Sequence, residues 1–142
     1  MAKLTLQQAN QIIEGALAKA REMRIKPLGV VVLDESGHLK AAQREDAASM
    51  FRTEIATGKA WAAVAMGASS RALAARARDN PNFFVTLAAT AGGKFLPQTG
   101  AVLIRNSAGE LLGAAGASGA TGEEDEVACK HGIERAGLVA EV

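Results

Sequence analysis

The sequence predicts an α+β fold, a single domain spanning residues 1–142 with a central antiparallel sheet of about five strands and helices packed on it. Two apolar runs are each followed by a polar turn and a return run, the mark of β-hairpins, and hairpins pair antiparallel. Segments of helical period lie before, between and after them. At 142 residues, 49% hydrophobic and 22% charged, the chain is long enough for one core.

Thr5 can cap the first helix, with Gln8 at the reciprocal capping-box position. Ala9, Ile12, Ile13, Ala16, Leu17 and Ala20 recur on one face, and Pro27 ends the segment. Leu28 to Leu33 reads as a buried strand, Asp34-Glu35-Ser36-Gly37 as a turn, and His38 to Arg44 as the returning strand. Met50 to Met66 is helical, with Phe51, Ile55, Trp61, Val64 and Ala65 expected on its buried side and Gly58 marking close packing. Ser69 or Ser70 caps a following helix that stops at Asn80-Pro81. The stretch FFVTLAATAGGKFLPQTG is expected to hold a short helix or turn and then a brief strand around Lys94 to Leu96. Ala101 to Arg105, the turn Asn106 to Gly109, and Glu110 to Ala117 make the second hairpin. A last helix runs from Glu123 to Arg135 and ends at Gly137.

The net charge is +1, with Lys and Arg scattered, so no footprint for nucleic acid or an anionic membrane is present. No tyrosine and a single tryptophan leave little for base stacking. One cysteine, Cys129, forms no internal disulfide. The start, MAKLTLQQANQ, has no apolar stretch after its lysine and does not read as a secretory signal. No run reaches the ~20 apolar residues of a membrane span. The expected location is the cytoplasm.

LTLQQANQIIEGALAKA, GVVVLDESGHLKAAQREDAA, IATGKAWAA and TGAVLIRNSAGELLGAAGASGATGEEDEVACKHGIERAGL together resemble the GlcG/HbpS family, which includes the C-terminal domain of PduO. The resemblance covers nearly the whole chain. It implies a profilin-like α+β domain that assembles into dimers and often octamers, and a haem-binding or haem-degrading role in some members. The first helix, Thr5 to Met23, holds no histidine to serve as an axial ligand.

Within that frame His38 and His131 are the candidate cofactor-binding residues, with haem the candidate cofactor. His38 follows the first hairpin turn, where an imidazole can ligate iron or titrate near neutral pH. It lies an even number of residues from Arg44, so the two are expected to share a face. His131 is two residues from Cys129, and residues so spaced do not face each other on a helix. The chain holds no Cys or His cluster of zinc spacing, so no metal site is expected.

Arg44, Lys59, Glu124 and Asp125 are the candidate catalytic residues. Arg44 can fork onto a carboxylate. Lys59 sits on a helix of small apolar residues, where it snorkels or points into an intersubunit cleft. Thr121 and Glu124 form a capping box, and the acidic first turn Glu123 to Glu126 complements the helix dipole. Exposed N–H groups at that helix start would suit an anion, with Glu124 or Asp125 as base or ligand. Ser107 and Ser118 lack partnered His–Asp residues for a hydrolase triad. Gly113, Gly116 and Gly119 do not form a dinucleotide fingerprint.

Two functional readings stay open, beside a structural accessory role. One is an oligomeric small-ligand-binding protein of the GlcG/HbpS type, holding haem or another tetrapyrrole. The other is a cofactor-independent isomerase, lyase or hydrolase acting on a small organic acid in an intersubunit cleft.

Overall fold

The computed structural model describes residues 2–142. Thr5 accepts a hydrogen bond from the Gln8 N–H while the Gln8 side chain accepts from the Thr5 N–H, so the first capping box forms as the sequence predicts. It opens α1, Leu6–Met23, which buries Ala9, Ile12, Ile13, Ala16 and Ala20. The first hairpin follows as β1, Gly29–Asp34, and β2, Leu39–Arg44. Next come α2, Phe51–Met66; α3, Ser70–Asp79, capped by Ser69; and α4, Pro81–Thr90, with proline in its first turn. The second hairpin is β3, Ala101–Arg105, and β4, Leu111–Ser118. Then α5, Gly122–Arg135, and β5, Val139–Glu141, complete the chain.

The five strands form one antiparallel sheet in the order β2-β1-β4-β3-β5. The two hairpins therefore lie side by side, joined through β1 and β4. Side chains alternate along β1, and both faces are covered. Val30 and Val32 pack with α1 and α5, whereas Val31 and Leu33 pack with Ala56, Ala60 and Ala63 of α2. A smaller cluster of Ala62, Leu73, Phe84 and Phe95 ties α3 and α4 to α2. Helices α1 and α5 approach closely, because a Cβ added at Gly132 would lie 2.2 Å from the Ile12 carbonyl oxygen.

Three expectations are corrected. Residues 94–96 are not a strand; the fifth strand is β5, and the 94–96 segment is an irregular loop in which the Leu96 N–H bonds to the Gly58 carbonyl. A Cβ at Gly58 would lie 2.9 Å from Leu96 Cβ, the close packing expected at that glycine. The buried side of α2 is Ala56, Gly58, Lys59, Ala60, Ala62 and Ala63, while Phe51 is 55% exposed. Finally, His38 and Arg44 do not share a face by alternation. Ala41 pairs with Val32 and Leu39 with Leu33, so Lys40 is an extra, bulged residue. The bulge reverses the parity and puts Leu39, not His38, in register with Ala42 and Arg44.

Candidate functional site

Strand β4 and the start of α5 meet the middle of α2 at Lys59. Its ammonium donates to the Ala117 carbonyl at 3.0 Å and lies 3.2 Å from Asp125 Oδ2. Asp125 Oδ1 accepts from the Ala120 N–H at 3.2 Å. Thr121 and Glu124 form the second capping box, which fixes the helix start and so aims Asp125 inward. Burial pushes the Asp125 carboxyl above its ordinary range, an effect that the Lys59 ammonium and the Ala120 N–H oppose without cancelling. The neighbouring Glu126 is also buried. Its Oε1 accepts from Arg71, while Oε2 has no partner among the described residues. One turn further, Cys129 is fully buried, and burial first, then the Asp125 charge, push its thiol up.

Two clefts open along α2. The larger, about 820 Å³, lies between the β1–β2 turn, α2 and the loop after α4. Leu33, Leu39, Phe51, Ile55, Trp61 and Leu96 form its apolar walls, and His38 stands on its rim. The smaller, about 500 Å³, is lined by Arg52, Lys59, Arg78, Ser118 and the first residues of α5. Ile55 and Leu96 line both, so the clefts share a wall.

The structure brings Lys59 and Asp125 into contact and separates the other candidates from them. Arg44 donates to the Ala48 carbonyl and lines a different, shallow cleft with Arg21, Glu45 and Asp46. Glu124 is held by its cap and faces a third cleft beside Arg24. His38 is 81% exposed at its side chain, with Nδ1 4.0 Å from Asp34 Oδ1. His131 is half-buried on α5. Among the described residues no group of three or more His, Cys, Asp or Glu side chains could hold a metal ion, and no helix is long and apolar enough to cross a membrane.

Sequence reasoning missed Arg52, Arg78 and Trp61 as cleft residues. Arg52 had a readable signal. It precedes Lys59 by two helical turns, so both belong to one face of α2. Its NH1 donates to Ser118 Oγ at 3.1 Å and its Nε to Ser49 Oγ at 3.2 Å. Ser118 thus receives a guanidinium in place of a catalytic histidine.

A family model described as haem degrading protein, HbpS-like, matches residues 4–134. Corrinoid adenosyltransferase PduO of Citrobacter freundii is 28% identical over 122 residues, covering 86% of this chain and 36% of that protein. The chain therefore spans little more than a third of the length of that curated relative. A crystal structure of a PduOC:heme complex superposes with a TM-score of 0.86 at 24% identity, covering 99% of this chain and 100% of the other. A double mutant of HbpS from Streptomyces reticuli superposes with a TM-score of 0.81 at 24% identity, covering 94% and 87%. At these identities the two structures show a shared fold.

Proposed function

The chain belongs to the HbpS-like family, and from that premise we propose that it binds a planar tetrapyrrole, with haem as the first candidate, in the larger cleft. The observation that carries this reading is the cleft itself. Its volume of about 820 Å³ lies within the usual range of small-molecule and cofactor sites, and its walls are mostly apolar. Leu39 and Phe51 leave 64% and 55% of their surface in water there, area that a macrocycle would cover.

The donor set at this cleft fits the group. His38 offers an imidazole at the rim, the usual protein ligand to haem iron. Trp61 and Phe51 supply flat apolar surface beside it. Bound haem would supply an iron centre, and this chain's part is to enclose the ring and hold it through His38. The crystal structure of the PduOC:heme complex is of a protein with this fold, which supports the class of ligand.

The enzyme reading gathers Arg44, Lys59, Glu124 and Asp125 around one organic acid. Arg44, Lys59 and Glu124 line three separate clefts, so binding is the reading the geometry favours. The same proposal includes a homo-oligomer, a dimer or octamer, whose formation size-exclusion chromatography with light scattering tests. Exposed Met50, Phe83 and Val85 give such an assembly apolar surface to bury.

Haem titration followed at the Soret band tests the binding reading. Saturable binding is expected in wild type, reduced in His38→Ala and retained in His131→Ala. Trp61, the single tryptophan, should be quenched as the cleft fills. An absorbance that rises without saturation, with no Trp61 quenching, would sink the reading.

A further inference from the structure

We propose that the smaller cleft is a carboxylate-binding subsite, taking an organic acid whose carboxylate rests on Arg52, Arg78 and Ser118 and whose apolar part leans on Ile55 and Leu96. It goes beyond tetrapyrrole binding in the larger cleft and stands without it, since the two share only a wall.

The case begins with charge. Three cationic side chains, Arg52, Lys59 and Arg78, line about 500 Å³, against one carboxylate, Glu123. Lys59 is balanced by Asp125 beneath it, so Arg52 and Arg78 against Glu123 leave a net positive cleft. The Lys59 ammonium is also held by Ala117 and Asp125, which makes it a wall of fixed charge rather than a mobile arm.

The second argument is preorganisation. Arg52 is pinned from both sides, by Ser49 at its Nε and by Ser118 at one NH1 contact, and the rest of its fork is uncommitted among the described residues. A guanidinium already held in place loses little freedom on meeting a carboxylate, and its planar fork matches the two oxygens. Ser118 is 2% exposed, so its hydroxyl is fixed as well. Arg78 lines the same cleft, exposed at the end of α3, and makes no ion pair among the described residues.

The third argument is composition around the cations. Ile55 and Leu96 join this cleft to the apolar one. A simple inorganic anion would leave that wall wet, whereas an amphiphilic acid covers it. The carboxylate has two sources of the same chemistry: a free small acid, or the edge carboxylates of a tetrapyrrole seated next door.

Calorimetric titration with benzoate and its uncharged analogue benzamide tests the subsite. Benzoate should bind saturably and benzamide should not. Arg52→Gln and Arg78→Gln should each weaken benzoate about tenfold, the usual scale for one charge-assisted contact. Arg78 is exposed, so its variant reports binding without threatening the fold. Competition identifies the source. If haem displaces benzoate and haem dimethyl ester does not, the carboxylate is the tetrapyrrole's own. If benzoate still binds with haem present, the cleft takes a separate acid. Should the protein bind no haem, saturable benzoate binding that weakens in the arginine variants still establishes this subsite. Equal binding of benzoate and benzamide, or wild-type benzoate affinity in both variants, overturns the proposal.

Discussion

Lys59 Nζ stands 3.2 Å from Asp125 Oδ2, with the two side chains only 7% and 1% exposed. The pair joins α2 to the start of α5 across 66 residues of sequence. Burying either charge alone is costly, and their attraction offsets that cost only while both are present.

Lys59→Ala should therefore destabilise the protein by about 3–5 kcal/mol, because it strands a buried carboxylate. The joint replacement Lys59→Met with Asp125→Leu should recover much of that loss. Urea unfolding of these variants beside wild type decides the matter. If the double variant is no more stable than Lys59→Ala, the stranded carboxylate is not the cause of the loss.

The carboxyl of Asp125 gives a pH dependence of known sign. Burial raises it above its ordinary 3.8, so the native state holds this proton more tightly than the unfolded chain does. Its contribution to stability is present in acid and is lost as pH rises through the raised value. The stability of wild type relative to Asp125→Asn should fall as pH climbs from about 4 towards neutrality. Urea midpoints at several pH values would show it, and a relative stability of wild type that rises with pH would contradict the assignment.

The helix starts are a local test. Thr121 caps α5 through the Glu124 N–H, and Glu124 returns the bond to Thr121. Thr121→Ala should cost about 1 kcal/mol, and Glu124→Ala less, with no change in haem affinity at the larger cleft. A loss of haem binding in Glu124→Ala would give this residue a role that its position does not explain.

These caps were legible because Thr-x-x-Gln and Thr-x-x-Glu act within one turn, and the hairpins were legible because each is a strand, a polar turn and a strand in sequence. What failed was non-local. The bulge at Lys40 leaves no mark in the residue pattern, yet it reverses the faces of His38 and Leu39. Strand β5 has three residues and pairs only at the edge, too short to show alternation. Phe51 looked like core because it is apolar, but it lines an open cleft and stays exposed. Lys59 and Asp125 each stand out by residue type, but nothing in the chain between them says that they touch. Arg52 went unread although its spacing from Lys59 placed both on one helical face.

Cys129 reports on the packing that encloses this region. Its thiol is fully buried and pushed up, and the thiolate is the reactive form. Native protein at pH 8 should resist a thiol-exchange reagent and react fully in urea. Gly132 lies three residues on and allows α5 to press against α1, where a Cβ would meet the Ile12 carbonyl oxygen at 2.2 Å. Gly132→Ala should force the helices apart at a cost of about 1–3 kcal/mol. If exchange follows opening of the native structure, that cost lowers the closed population and Cys129 should react about fivefold faster or more in the variant. Labelling at the same rate in both proteins would mean that the thiol is reached by a local opening that leaves the α1–α5 contact intact.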